Sequence, residues 1–425
     1  MTTESMSSEA MRSAVMNTTA MPSGAKNAEA VSATRMTAAQ FRSHFPGTER
    51  SIYMDVAARG LPPIDARKAL DRYLDERLMD GGDKQEMFLL IERLRAAFAD
   101  FIGAGADEIC YTKNVSEGLN AIIAAFDWQR GDRIVYCPEL EHPNNVYPWR
   151  HLLRRTGVEL IAVPALDGQI DTVRMVDAID ERTRMVTVSS VPFAPGLVTD
   201  LAPLGAACQQ RGVFLLVDAV QSVGLIETDV RALGIDAFAI STQKGMLGLY
   251  GMGYLYCRRE WADRLDPAYI ARFSVDLGDA HEASLGDEDF KLMSGARRFE
   301  IGNYNFAAAT AAEASLALLV QMSAAGVEAH VRSLASRLAA GLAALGLPLI
   351  GPPSGAARGS IVCIGALGGG GHDSVDDTRL QALYEHLSSN GVRLSIRRGL
   401  LRLSLHAYND VAEVERVIDL ARRTV

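Results

Sequence analysis

The chain has 425 residues, 48% of them hydrophobic and 22% charged, with 43 basic against 52 acidic side chains and a net charge of −9. A chain of this length outgrows a single core, so two domains sharing a ligand cleft are expected. The acidic balance argues against a polyanionic partner such as nucleic acid, which needs many Lys and Arg against phosphate, and leaves only a local basic pocket open; no apolar run reaches the roughly 18 residues that span a bilayer.

Residues 1–36 are rich in Ser, Thr, Ala and Met, with Met at positions 1, 6, 11, 16 and 21, a spacing that suits neither helix nor strand. They lack the basic start and apolar core of a secretory signal and are expected to form a disordered tail, or to follow from a start site set too far upstream. From Glu108 onward short apolar runs alternate with helix-length segments: IVYC from Ile134, ELIAV from Glu159, MVTVSSV from Met185, VFLLV from Val213, AFAIS from Ala237 and GYLYC from Gly253. The pattern predicts an α/β fold with a mostly parallel sheet covered on both faces, in a large domain over about residues 60–300. After Asn305 the Ala- and Leu-rich stretch AAATAAEASLALLVQM predicts a buried helix. It leads to a strand at SIVCIGA (from Ser360), a glycine run at Gly368–Gly371, a helix near Leu380–Leu387 and a strand at LLRLSL (from Leu400). This is expected to be a smaller α+β domain of residues 301–425, joined by 37–59, that closes over the cleft. The glycine run lacks the following helix and lysine of a phosphate loop and reads as a turn.

Five cysteines, Cys110, Cys137, Cys208, Cys257 and Cys363, show no CxxC spacing and lie mostly in apolar runs. They read as buried thiols in a reducing cytoplasm, and no metal site is expected.

Within Val217–Gly245 one apolar strand ends in Asp218-Ala219-Val220-Gln221 and the next in Ser241-Thr242-Gln243-Lys244-Gly245. An acid and a lysine at the carboxyl ends of parallel strands, where doubly wound sheets bind ligands, are what a pyridoxal-phosphate enzyme needs. Lys244 would form the Schiff base and Asp218 would pair with the pyridinium nitrogen.

The segment resembles the active-site region of class V aminotransferases, the branch of fold-type I pyridoxal-phosphate enzymes that includes cysteine desulfurases, kynureninase and isopenicillin N epimerase. The resemblance spans about residues 50 to 425. It implies that Lys244 carries the cofactor, that Asp218 contacts the ring nitrogen and that Gln221 hydrogen-bonds the ring hydroxyl. Asn114-Val115-Ser116-Glu117-Gly118 sits between a strand and a helix, with Asn114 and Glu117 spaced as a capping box. Alone this is a helix cap; the resemblance implies a phosphate cup in Asn114, Val115 and Ser116, with Ser241 as a further phosphate ligand. Glu141-His142 opens EHPNNVYPW, similar to the EHxAN…PW stretch of desulfurases, and implies that His142 stacks on the ring, with proton transfer also open to it. Arg402, in LLRLSLHAYND, matches an LRxSxxxYN stretch whose arginine holds the substrate α-carboxylate. Arg397 and Arg398 lie near an active-site arginine of the family, so that the resemblance implies substrate binding by Arg397 as well, and Arg298 lies near another family position, with solvated charge as the alternative.

The chain departs from the family in places. Gln243 stands where histidine usually precedes the lysine, giving an amide as donor to phosphate, and Asn303, in EIGNYN, stands for threonine. Desulfurases carry a nucleophilic cysteine on a loop before the LRxS strand, whereas Ser395-Ile396-Arg397-Arg398-Gly399-Leu400-Leu401-Arg402 leaves almost no loop and no thiol. Phe193 replaces an asparagine of the desulfurases. The expectation is transamination or β-elimination on a small α-amino acid. Epimerisation is the leading alternative, and a pyridoxal-phosphate-fold binding or regulatory protein without turnover a second; Asp218 and Lys244 favour an enzyme. The family also implies a homodimer with shared active sites.

Overall fold

The computed structural model describes residues 35–278 and 290–424, so the tail expected over 1–36 lies outside the described residues except for its last two. Seven strands form the main sheet: β1 (Ile109–Thr112), β2 (Arg133–Tyr136), β3 (Glu159–Ala162), β4 (Thr183–Ser189), β5 (Phe214–Asp218), β6 (Ala237–Ser241) and β7 (Gly253–Cys257), in the order β1-β7-β6-β5-β4-β2-β3. Strands β2 to β6 pair in parallel, and β7 runs antiparallel to both its neighbours, β6 and β1. The sequence signal for β7 was an apolar run like the others. Its direction follows from the link to β6, residues 242–252, which carries no crossover helix and can only return the chain antiparallel.

Successive residues of the central strands enter two different cores. Val186, Leu215, Val217, Phe238 and Ile240 pack on one face, and Met185, Phe214, Leu216, Ala237 and Ala239 on the other. Burial on both faces is why these strands read as unbroken apolar runs. The helix Val115–Ala125 lies so close over β6 that a Cβ on Gly118 would fall 2.7 Å from Ala239 Cβ. That glycine sets the height of the helix start above the strand that ends at Ser241. The Ala-rich helix, Phe306–Met322, is capped by Asn305, whose Oδ1 accepts the Ala308 N–H at 3.1 Å, and packs on Ile64–Met79 and Lys84–Ile102.

The C-terminal unit holds an antiparallel sheet of β8 (Ile361–Gly365), β9 (Ser395–Arg397) and β10 (Leu400–Ser404), in the order β8-β10-β9. One face (Val362, Ile364, Ile396, Leu401, Leu403) packs in a core with the helices Ala324–Ala344, Thr378–Ser389 and Val411–Arg422. The other face, with Ile361, Cys363 and Leu400, meets Ala57, Val191 and Phe193 across the cleft. Ile52–Tyr53 pairs in parallel with Val392–Arg393, tying the segment before residue 60 to this unit. The glycine run packs directly beneath the β9–β10 turn: a Cβ on Gly399 would stand 2.5 Å from the Gly369 carbonyl carbon. Backbone bonds join the two segments, Gly368 N–H to Arg398 O at 2.9 Å and Gly399 N–H to Gly371 O at 3.2 Å.

Candidate active site

Asp218 ends β5 with its carboxylate buried, and Oδ1 accepts the Val220 N–H at 3.1 Å. Lys244 stands in the turn after β6. The two turns touch through glycine: at Gly224, with φ of 88°, a Cβ would lie 2.4 Å from the Gly245 carbonyl oxygen. Burial pushes the Asp218 carboxyl up, with the Lys244 charge pulling against it, and pushes the Lys244 amine down to about 8 against the pull of Asp218. Lys244, Asp218, Gln221, His142 and Val115 line one crevice, together with Ser189 and Phe193.

Gln221 donates from Nε2 to the Ala57 carbonyl at 2.9 Å, while its buried Oε1 has no partner among the described residues. An orphaned buried acceptor costs stability unless something fills it, and a ring hydroxyl in the crevice would do so. At the helix start, Asn114 Oδ1 accepts the Glu117 N–H at 3.0 Å and the Val115 N–H donates to Ser241 Oγ at 2.8 Å. The capping box expected there is half made: the Glu117 carboxylate takes the Lys113 N–H instead of that of Asn114, because Asn114 is extended with φ of −170°. Ser241, with its oxygen already accepting, has its O–H left to donate to an anion at the helix start, beside Ser116 and Val115. Gln243 is partly exposed, and its carbonyl accepts the Gly60 N–H at 2.7 Å.

His142 Nδ1 accepts the Asn144 N–H at 3.2 Å, so the proton of the neutral ring sits on Nε2. Burial, then the Lys244 charge, lower its pKa to about 4, which keeps the ring neutral and fit to lie against another ring. Its edge meets Phe193 at 5.0 Å. Beneath it Glu141 accepts from Ser189 N at 2.5 Å, Ser189 Oγ at 2.6 Å and Asn145 Nδ2 at 2.9 Å, and burial raises it to about 7. Asn145 Oδ1 in turn takes Trp149 Nε1 and Thr187 Oγ1, both at 3.0 Å. The EH pair and the following PW were visible in the sequence, but Ser189 and Thr187, from β4, were not.

Arg402 is buried on β10. Its Nη1 donates to the Phe193 carbonyl at 2.9 Å and its Nε to Ser395 Oγ at 3.1 Å; Ser395 donates to Asp55 Oδ1 at 2.8 Å, and that oxygen lies 3.6 Å from Arg402 Nη2. Asp55 was missed by sequence reasoning; the only signal was an acid closing the short run IYMD. Also missed was His406, whose Nδ1 accepts the Ala407 N–H at 2.7 Å, so that Nε2 donates to Gly245 O at 2.9 Å, behind the Lys244 turn. Arg397 pairs with Asp373, and Arg398 donates to the Glu139 carbonyl. Arg298 donates to Asp263, Leu265 O and Met293 O, away from the crevice residues. Asn303 is exposed and lines a separate depression with Lys113, Tyr269 and Ile301.

The donor set fits pyridoxal phosphate: a lysine amine, a buried carboxylate, an unpartnered amide oxygen, a neutral imidazole and a helix start gathered at the ends of parallel strands. The fold and site define a fold-type I pyridoxal-phosphate enzyme. The chain belongs to the class-V aminotransferase family, whose profile matches residues 52–417. A probable cysteine desulfurase of Pyrococcus abyssi is 30% identical over 397 residues, covering 90% of this chain and 96% of that one. An uncharacterized aminotransferase of Bacillus subtilis, YcbU, is 27% identical over 388 residues, 91% of this chain and 98% of the relative. The apo structure of a cysteine desulfurase from Thermococcus onnurineus superposes with a TM-score of 0.78 at 27% identity, covering 91% of this chain and 98% of that one.

Proposed function

We propose that this enzyme acts on a small α-amino acid by transamination or β-elimination, without a thiol of its own. Arg402 binds the α-carboxylate, with Ser395 and Asp55 holding its guanidinium. Lys244 would carry the cofactor, and its amine, lowered to about 8, would serve as the general base toward the Cα proton. Bound pyridoxal phosphate supplies an electron sink for the pair left at Cα. Asp218 would hold a proton on the ring nitrogen, His142 would cover the ring face, and Gln221 would meet the ring hydroxyl. Ser116 and the Ser241 hydroxyl, the latter oriented by the Val115 N–H, with Asn114 capping the helix and Gln243 alongside, would receive the phosphate.

The observation that carries the choice of reaction is the β9–β10 connection. Arg398 and Gly399, with φ of 56° and 80°, make a two-residue turn of the tightest hairpin type, with no room for a loop bearing a nucleophile. All five cysteines are buried. Cys363, the one opposite Arg402 in the sheet, is pushed by burial up to about 12, so no thiolate is at hand to attack a substrate sulfur. The test is product analysis of the holoenzyme with L- and D-amino acids. Keto acid formed only with a keto-acid acceptor present means transamination; keto acid and ammonia released continuously from substrates with a β-leaving group means elimination. Alanine released from L-cysteine with persulfide on the protein would overturn the reading, and solvent deuterium at Cα without keto acid would replace it with epimerisation.

We also propose a cytoplasmic homodimer whose subunits share their active sites. Exposed Tyr269 and Ile301 line the depression that holds Asn303, and exposed Tyr250 and Ile270 adjoin its lining residues Gly251 and Tyr269 in the chain, which supports a covered face there. Sedimentation at micromolar concentration is expected to give a dimer, and a monomer would contradict it.

A further inference from the structure

Arg397 and Arg402 rise from the same face of the C-terminal sheet. Arg402 stands opposite Ser395 in the β9–β10 ladder, and Arg397 is two residues further along β9. Both therefore leave the sheet on the cleft side, the side on which Leu400 and Cys363 meet Phe193. Their positions form the diagonal of an antiparallel pair, roughly 7–8 Å apart. Arg397 is close enough for its charge to act on Lys244, Asp55 and Arg402.

The counter-ions of the two arginines differ. Arg402 is 2% exposed and keeps Asp55, itself 16% exposed, beside it. Arg397 is 24% exposed and pairs with an Asp373 that is 73% exposed, on the segment of the glycine run that hydrogen-bonds to the hairpin turn. A pair with so wet a partner is weak and open to exchange with another anion. A planar guanidinium held on a rigid strand suits a carboxylate.

We propose that the substrate carries a second anionic group, a side-chain carboxylate or an acid of like charge, which Arg397 takes in exchange for Asp373 while Arg402 holds the α-carboxylate. This names the substrate class for the site described above and rests on that reading of Arg402.

The test compares acid and amide isosteres on the holoenzyme, L-aspartate with L-asparagine and L-glutamate with L-glutamine. In the wild type kcat/KM for one of the acids is expected to exceed that of its amide by about 30-fold or more. Arg397→Met is expected to collapse that preference to near unity, mainly through KM for the acid. Asp373→Asn, which removes the competing anion, is expected to lower the KM for the acid by about two- to five-fold. A readout independent of turnover is the thermal midpoint of the holoenzyme, raised more by succinate than by butyrate in the wild type and equally by both in Arg397→Met. Amides used as well as acids by the wild type, or a preference that survives in Arg397→Met, overturns the proposal. Stabilisation by succinate through Arg397 without turnover of any amino acid upholds the two-anion site and sinks the reaction reading instead.

Discussion

Lys244→Ala is expected to reduce turnover by at least about four orders of magnitude, because it removes both the point of covalent attachment and the base for the Cα proton. The same variant is expected to lose the cofactor chromophore on dialysis, and borohydride should no longer fix cofactor to protein. The wild-type amine adds a pH signature. An amine attacks a carbonyl only when neutral, and burial lowers Lys244 to about 8 from an ordinary value of 10.5. Below that pH the ammonium form dominates, and above it the free amine. The rate at which apoprotein takes up cofactor, followed by absorbance, should therefore rise with pH and level off above about 8. A rate still climbing at pH 10, or full activity in Lys244→Ala, would remove Lys244 from the mechanism.

Asp218→Asn is the second large effect. The change keeps the shape and an oxygen for the Val220 N–H, but removes the carboxylate charge that would hold a proton on the ring nitrogen. Turnover is expected to fall by about 10²–10³-fold, the loss seen when one electrostatic stabiliser is taken from a preorganised site. Attachment to Lys244 should persist. Burial opposes the Asp218 charge, so the Asp218→Asn apoprotein is expected to melt no lower than the wild-type apoprotein. A lowered midpoint matching the activity loss would mean that Asp218 serves the fold and not the chemistry.

What the sequence made legible was whatever a single strand or turn carries by itself. The runs at Phe214–Asp218 and Ala237–Ser241 were apolar because both faces of each strand are covered, so the positions of Asp218 and Lys244 at their ends could be read directly. The direction of β7 was not legible, because an apolar run is the same read either way and only the connection decides. Asp55 and Ser395 were hidden for a different reason. They lie 340 positions apart in the chain, and their meeting at Arg402 depends on the pairing of Ile52–Tyr53 with Val392–Arg393. His406 was likewise hidden, since its partner is a backbone carbonyl, Gly245 O, that carries no residue signature. The capping box was over-read at Glu117, because spacing alone does not fix which backbone N–H a carboxylate takes.

The two-residue turn at Arg398-Gly399 has a consequence for how this cleft can vary. Turn type and length set hairpin register, and register is what sets Ser395 opposite Arg402 and turns Arg397 toward the crevice. A slip of one residue would send every side chain of β9 to the other face, trading Ser395 and Arg397 for Ile396 against the guanidinium of Arg402 and exposing the helix-covered core. Insertions between the two strands are thus not neutral lengthening of a surface loop. The number of residues in the turn is thereby tied to the register that places Ser395 and Arg397 on the face of Arg402.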